Sequence, residues 1–453
     1  MAKELLAIVL AAGQGTRMKS ALPKVLHRVA GKAMVDHVID AARRAGATRI
    51  IVVAGHQIEQ LQAHFTGREV EIVEQAPQLG SGHALQQTLP HLRQTGGDAL
   101  VLNGDAPLIE PDSLQILANE HADARMQVSF LAAAVDDPRR LGRVIRQDGR
   151  VRIVEWADAT EAQRRVTEVN AGVYCFDAVW LVKELPSLTL SNKGEYYLTE
   201  LVERAERVRV VQAGSLASCV GVDTRQALAE AERIMQDRLR AHWMDEGVTF
   251  IDPGSVFLDA ASRIGRDAVL HPNTIVRASD IGEGTIVGPG SRIHDSRIGA
   301  GCAIRESVLE SAVVEDGVEV GPFSHLRPGA YIESGAKLGN YVEIKNARIG
   351  RSTQIHHFSY TGDAELGQRV NIGAGTITCN YNSETGAKSR TVIGDDASTG
   401  SDTLLVAPVT LGVGAMTGSG AVVTRDVAPD TLAVGVPARE IRKVRKGAAG
   451  RGH

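Results

Sequence analysis

Aliphatic residues recur every six positions through much of the second half of the chain: Ile281, Val287, Ile293; Val320, Leu326, Ile332, Leu338, Ile344; Leu366, Ile372, Thr378; then Ile393, Thr399, Leu405, Leu411, Thr417, Val423. Four of the last six are followed directly by Gly. A period of six fits neither the 3.6 of a helix nor the 2 of a simple strand, so it reads as an internal repeat. One aliphatic side chain per hexapeptide points to an axis, a small residue makes the corner, and three hexapeptides close a coil of roughly 18 residues. Coils stacked at the strand spacing of roughly 4.8 Å give a parallel β-helix, and residues 251–432 supply about ten of them. From Thr378 to Ile393 the interval is 15, which is off the beat, and predicts a loop leaving the stack around Asn380–Gly386.

The first 225 residues follow another pattern. Leu5–Leu10, Arg49–Ala54, Val70–Glu74 and Ala99–Asn103 are short aliphatic runs separated by helical stretches such as Met34–Ala45. This alternation predicts an α/β domain with a mostly parallel, Rossmann-like sheet. Between the halves, Leu228, Met235, Leu239 and Trp243 share one helical face and Gly247 supplies a stop, which predicts a connecting helix. The expected domains are 1–225, a linker helix over 226–246, and a solenoid over 247–453. The solenoid ends in a basic tail bearing Arg439, Arg442, Lys443, Arg445, Lys446 and Arg451. A solvated end is the plain reading of that tail, and phosphate contact by its first basic residues the alternative.

Composition narrows the classes. In 453 residues, 43% hydrophobic and 23% charged content is that of a globular protein, and a formal charge of −4 gives no electrostatic reason to expect nucleic acid or a membrane surface. The longest apolar run, Leu5–Ala12, is too short to span a bilayer and lacks signal-peptide flanks. Cys175, Cys219, Cys302 and Cys379 show no CxxC spacing, so neither a zinc site nor a disulfide framework is indicated, and a reducing cytoplasm is the expected location.

Directly after the first strand comes Leu10-Ala11-Ala12-Gly13-Gln14-Gly15-Thr16-Arg17-Met18, then Leu22-Pro23-Lys24-Val25-Leu26. Small residues let backbone N–H groups approach phosphate oxygens, and Arg17 and Lys24 supply positive charge for phosphoryl transfer. A dinucleotide fingerprint needs Gly where Met18 stands, and a P-loop needs Gly-Lys-Ser/Thr; both fail. The whole string resembles the signature of the sugar nucleotidyltransferases. Asp105 follows a strand at its carboxyl end, through Gly104, where open α/β sheets bind ligands and a carboxylate can hold Mg²⁺. Asp223 is the candidate second ligand; capping the linker helix is its alternative.

Further motifs recur in order: Gln75-Ala76-Pro77-Gln78-Leu79-Gly80-Ser81-Gly82-His83-Ala84, Leu141-Gly142-Arg143, Ile153-Val154-Glu155, Val169-Asn170-Ala171-Gly172 and Gly194-Glu195-Tyr196-Tyr197-Leu198-Thr199. With the hexapeptide half, the chain resembles over essentially its whole length the bacterial bifunctional N-acetylglucosamine-1-phosphate uridyltransferase and glucosamine-1-phosphate N-acetyltransferase. The resemblance implies acetylation of glucosamine 1-phosphate by acetyl-CoA in the C-terminal domain, then coupling of N-acetylglucosamine 1-phosphate to UTP in the N-terminal domain. The product would be UDP-N-acetylglucosamine, a precursor of peptidoglycan and lipopolysaccharide. It also implies a left-handed β-helix and a homotrimer with acetyltransferase sites shared between chains.

By the same resemblance, Leu10, Ala11, Ala12 and Gly13 with Gln75, Gly80 and Ser81 hold the uracil end. Gly142, Glu155 and Asn170 grip the sugar, Arg17 and Lys24 neutralise the triphosphate, and Asp105 and Asp223 hold Mg²⁺. The family generally has Asn where Asp223 stands, which adds a negative charge here. Asn103 stands where an aromatic residue is often found.

In the solenoid, Arg327 and Lys345 fall one coil apart, and two stacked cations call for an anion between them, as a sugar phosphate would provide. Acetyl transfer to an amine needs a base, and histidine suits that task. Within the string His356-His357-Phe358-Ser359-Tyr360, His357 is taken as the base and His356 as a neighbour pointing elsewhere. By resemblance Tyr360, Asn371, Asn380 and Tyr381 line the amino-sugar and acetyl pocket, and Ala374, Ser401 and Ser419 meet acetyl-CoA. The family's late CoA-contacting Arg has no aligned counterpart, and Arg439 is the candidate substitute. The rival reading is a single-activity nucleotidyltransferase whose solenoid is structural or regulatory.

Overall fold

The computed structural model describes residues 4–138, 141–191, 193–215 and 218–444; Arg445, Lys446 and Arg451 of the expected tail lie outside the described residues. The chain divides into two compact units, 1–235 and 236–453. Among the described residues no helix is long and apolar enough to cross a membrane.

The first unit is built on a sheet of β1 (Leu5–Ala11), β2 (Arg49–Ala54), β3 (Glu71–Glu74), β4 (Asp98–Asn103), β5 (Val128–Ala134), β6 (Arg143–Gln147), β7 (Arg150–Val154), β8 (Glu168–Asp177) and β9 (Val208–Gln212). The path β9-β5-β8-β4-β1-β2-β3 is parallel except at β8, which runs against β4 and β5, while the β6–β7 hairpin joins β8. Successive β1 residues enter opposite cores, Ala7 and Val9 on one face and Leu6 and Ile8 on the other. Strands covered on both faces read as continuous apolar runs, which is why β1, β2 and β4 were visible in the sequence. Helix α1 (Met34–Arg44) covers one face with Val35, Val38 and Ile39. Leu10 of β1 pairs with Asn103 of β4, so the segments that follow each strand emerge side by side.

The second unit is a stack of short parallel strands in which Val269 pairs with Ile286, Ile286 with Ala303 and Ala303 with Glu319, consistent with the left-handed β-helix expected of hexapeptide repeats. Every residue on the six-step beat is buried, including Thr378, Thr399 and Thr417. The beat also continues where the sequence count lost it, through Ile298, Ile304, Leu309 and Val314, by shortening some steps to five residues. Buried hydroxyls run in columns alongside. Ser307 N donates to Ser291 Oγ at 3.2 Å, Ser324 N to Ser307 Oγ at 3.1 Å and Val342 N to Ser324 Oγ at 3.4 Å, so these polar groups are satisfied from the next coil.

At one corner column the coils leave no room for a side chain. A Cβ on Gly339 would stand 2.0 Å from the His356 carbonyl oxygen, a backbone atom that cannot withdraw without parting two coils. Gly339→Ala is therefore expected to destabilise the solenoid by roughly 1–3 kcal/mol, in line with other overpacked cores, and to show as a lowered thermal midpoint.

Helix α2 (Arg225–Asp245) spans the stretch where the linker helix is expected. Leu228 and Met235 pack on Val29, Met34, Leu108 and Val222 of the first unit, and Leu239 and Trp243 pack on the solenoid core. Gln236 and the Leu258 backbone bond reciprocally, at 2.5 and 2.9 Å, and close off the first coil. The first turn of α2 is capped by Thr224, whose Oγ1 accepts from Ala227 N at 3.1 Å, leaving the Asp223 carboxylate for other partners.

Candidate active sites

The segments leaving β1 and β4 wall a cleft of about 620 Å³. Leu10, Ala11, Ala12 and Gly13 line one side, Gln75, Gly80 and Ser81 another, and Lys24, Asn103, Asp105 and Asp223 its floor. An adjoining compartment of about 170 Å³ shares Leu10, Ser81 and Asn103 and adds Glu155 and Asn170. Three sequence candidates do not line these walls themselves. Gly104 donates its N–H to Leu10 O at 2.9 Å, joining the ends of the two strands. Gly142 accepts from Asn170 N at 2.9 Å, and a Cβ there would lie 3.0 Å from Ile153 Cγ2. Arg17 is largely exposed and reaches the site through Asp223, Nη2 to Oδ2 at 2.9 Å.

Lys24 lies between two carboxylates, bonded to Asp105 Oδ2 and, at 2.8 Å, to Asp223 Oδ1. Burial works against its ammonium, but Asp105 and Asp223 together outweigh that and hold its pKa above the ordinary lysine value. Gly221 makes the arrangement possible, since a Cβ there would stand 2.8 Å from Asp105 Oδ1. Two hard-oxygen donors converging on one cation fit Mg²⁺. Among the described residues no group of three or more His, Cys, Asp or Glu converges, so such an ion would draw its remaining ligands from phosphate and water.

The loop that carries Gly80 and Ser81 is pinned by backbone. Tyr196 N donates to Leu79 O and Gly82 N to Tyr196 O, both at 2.8 Å. Gln75 is buried, and its Nε2 donates to Gly80 O at 2.9 Å. In the smaller compartment Asn170 Nδ2 donates to Tyr174 Oη at 2.6 Å, and Thr199 Oγ1 donates to Glu155 Oε1 at 3.3 Å. Burial, aided by the Glu155 carboxylate, pushes the Tyr174 phenol far up, so it stays protonated. Burial likewise raises the Glu155 pKa, only partly offset by Thr199.

The sign of that shift gives a stability prediction. The folded state holds the Glu155 proton more tightly than the unfolded state, so stability is lost as pH rises from the unfolded to the folded pKa and stays lost above it. Glu155→Gln should therefore raise the thermal midpoint of the ligand-free protein at pH 8 and leave it nearly unchanged at pH 4.

Gln78, Glu195, Gly221, Tyr174 and Thr199 also line these compartments but were not assigned roles from sequence. Gln78, Glu195 and Thr199 sit inside motif strings already noted. Tyr174 is marked only by its place on β8, where an inward polar tip would have been the signal.

In the solenoid one corner column collects residues far apart in the chain. His357 pairs in register with Asn340, Gly375 N donates to His357 O, Asp402 N to Ala374 O at 2.7 Å and Gly420 N to Ser401 O at 2.8 Å. His357, Ala374, Ser401 and Ser419 thus stack at the same corner. Val434 lies over Gly418, and Arg439 pairs with Val434, which brings Arg439 to the end of that column. His357 is exposed, whereas His356 is less so and bonds Gln354 Oε1 at 3.0 Å on the adjoining face. Asn371 pairs with Gln354, ahead of the corner, and Tyr360 follows His357 within the strand Gln354–Leu366.

Arg327 and Lys345 do stack, with Leu326 opposite Ile344, but the repulsion expected between them is met within the chain. Glu343 Oε1 accepts from Arg327 Nη1 at 2.7 Å, and this bond raises the Arg327 pKa. The predicted loop is a hairpin: Tyr381 bridges Lys388, and the stack resumes with Thr391 opposite Ala364. Asn380 and Tyr381 form its base.

A parallel-sheet cleft that gathers cations and carboxylates, continued by a hexapeptide solenoid with a histidine corner, defines a nucleotidyltransferase joined to a hexapeptide-repeat acyltransferase. Family models agree, with a MobA-like NTP transferase domain matching residues 7–207 and the bacterial transferase hexapeptide (six repeats) matching 311–346. The bifunctional protein GlmU of Heliobacterium modesticaldum (strain ATCC 51547 / Ice1) is 44% identical over 455 residues, covering 99% of this chain and 98% of its own length. That of Synechococcus sp. (strain RCC307) is 43% identical over 432 residues, covering 94% and 96%. The chain belongs to the bifunctional GlmU family. The resemblance read from the motifs is borne out, and with it the pairing of a uridyltransferase with an acetyltransferase in one chain.

Proposed function

We propose that the N-terminal cleft couples UTP to N-acetylglucosamine 1-phosphate and that the His357 corner acetylates glucosamine 1-phosphate with acetyl-CoA. The functional units are assigned to residues 1–225 and 247–453, with 226–246 as linker. The first activity is supported by two compartments that share Leu10, Ser81 and Asn103, one floored by Lys24 and two carboxylates, the other lined by Glu155 and Asn170. A sugar phosphate oxygen attacks the α-phosphorus of UTP in line, an O–P bond forms, and the bond to pyrophosphate breaks. No protein nucleophile is needed, because positioning and charge neutralisation carry the rate. Leu10 to Gly13 with Gln75, Gly80 and Ser81 hold the uridine, Gly142, Glu155 and Asn170 hold the sugar, and Arg17 and Lys24 meet the phosphates. Asp105 and Asp223 would hold Mg²⁺, which would supply further neutralisation of triphosphate charge when bound.

The second activity is supported by the column of His357, Ala374, Ser401 and Ser419. His357 takes a proton from the attacking amine as the C–N bond forms, the thioester C–S bond breaks, and the same proton passes to the leaving sulfur so that coenzyme A departs as the thiol. Arg327, Lys345, Tyr360 and Asn371 hold the amino-sugar phosphate. Asn380, Tyr381, Ala374, Ser401, Ser419 and Arg439 hold acetyl-CoA. The product passes to the first activity as UDP-N-acetylglucosamine synthesis proceeds, in the cytoplasm.

Assembly as a homotrimer through the solenoids is supported by Phe323, Tyr341 and Phe358, which are 54, 58 and 73% exposed in successive coils beside the His357 corner. Thiol release from acetyl-CoA with glucosamine 1-phosphate, and pyrophosphate release from UTP with N-acetylglucosamine 1-phosphate, test the two activities on the intact chain. Absence of thiol release from folded protein would return the solenoid to a structural role.

A further inference from the structure

The corner from which the hairpin leaves the solenoid is held by one carboxylate. Asn346, Asp363 and Asn380 occupy equivalent positions in three successive coils, each 17 residues from the next. Asn346 and Asp363 both take left-handed backbone conformations there, with φ of 45° and 46°. Asp363 Oδ1 accepts from Asn346 Nδ2 at 2.5 Å, and Asp363 Oδ2 accepts from Asn380 Nδ2. Each carboxylate oxygen thus holds one amide, below and above.

Asn380 is where the regular stack is interrupted. Instead of turning the corner again, the chain runs out through Tyr381 and returns at Lys388, with Ser389 N donating to Asn380 O at 2.9 Å. The only solenoid side chain bonded to the Asn380 amide among the described residues is therefore Asp363. The neighbouring strand is equally constrained. A Cβ on Gly362 would stand 2.2 Å from Tyr360 Oη, so the Tyr360 ring lies across Gly362, and Thr378 Oγ1 bridges the Gly362 N–H and carbonyl at 2.8 and 3.0 Å. Burial disfavours the Asp363 carboxylate, but the two amides, with Lys388 and Lys345 nearby, outweigh that and keep it ionised.

We propose that Asp363 is a positioning residue for acetyl transfer, acting through Asn380 to fix the base of the 381–388 hairpin against the coil that carries Tyr360 and Lys345. A charge-assisted pair of bonds sets where Asn380 and Tyr381 begin, and without it the Asn380 amide keeps no side-chain partner on the coil among the described residues. The inference rests on the acetyltransferase reading of the His357 corner.

The test compares Asp363→Ala, Asn380→Ala and the double variant in the full chain. Asp363→Ala should lower kcat/KM for acetyl transfer by about 10–100-fold, the scale of a small displacement of positioning groups, mostly as raised KM. The double variant should match Asn380→Ala within about twofold, because a residue that acts through another adds nothing once that other is gone. Uridylyl transfer should stay within about twofold of the parent as the control for folding, and Asp363→Asn, which retains one acceptor oxygen, should fall between parent and Asp363→Ala. Losses that multiply in the double variant, or an unchanged KM in Asp363→Ala, would overturn the proposal. Trypsin cleavage after Lys388 and Arg390 gives a readout free of activity. It should quicken in Asp363→Ala, and an unchanged rate would count against the anchor even if the parent showed no acetyl transfer, a result that would instead sink the acetyltransferase reading.

Discussion

His357→Ala is expected to lower acetyl transfer by about 10²–10⁴-fold, the span usual for loss of a general base, while pyrophosphate release stays within about twofold of the parent. The imidazole is exposed at a corner whose column continues into Ala374, Ser401 and Ser419, the positions assigned to acetyl-CoA. Little of the fold depends on it, since its backbone carbonyl makes the bonds to Ser359 Oγ and Gly375 N and survives the substitution. His356→Ala is the matched control. Burial lowers the His356 pKa and its ring bonds Gln354, so it should cost at most a few-fold through packing. Equal losses in the two variants, read by thiol release, would mean that the base has been assigned to the wrong residue.

How much of this was legible beforehand depended on whether the signal was local. The six-step beat is local, because each coil must bury its own aliphatic side chains, and it gave the solenoid and the exit point of the hairpin. It faded between Ile293 and Val320 because a coil can shorten a step at a corner and keep its inward residue, as Ile298, Ile304, Leu309 and Val314 do. The stacking of Arg327 on Lys345 was equally legible, but not its resolution by Glu343. That residue stands two positions before Lys345, and only side-chain direction decides that it bonds Arg327. The alternative role of Asp223 as a helix cap fell for a related reason. Thr224 takes the capping bond, and the choice between adjacent residues is set by the entry angle of the chain. Gly221 had no chemical signature at all, and its role appears only when Asp105, more than a hundred residues earlier, is seen to occupy the space its side chain would fill.

The complementary substitution, Asp105→Ala, should remove uridylyl transfer by about 10³-fold or more, the order seen when a preorganised charge-stabilising group is lost, and leave acetyl transfer intact. Two losses coincide at that residue. One of the two carboxylates available to a divalent ion disappears, and Lys24 keeps only Asp223 to hold it at the cleft floor. Asp223→Asn should be milder, roughly tenfold, because an amide oxygen can still serve as a hard donor while only its charge is lost. Arg17, exposed and tied to the site through Asp223 alone among the described residues, should then become freer, and uridylyl transfer should grow more sensitive to salt. Binding of Mn²⁺ to the substrate-free protein, followed by titration, separates these effects from turnover. It should weaken more in Asp105→Ala than in Asp223→Asn. Retained pyrophosphate release in Asp105→Ala, or parallel loss of both activities, would show that Lys24 and its carboxylates brace the domain rather than serve its chemistry.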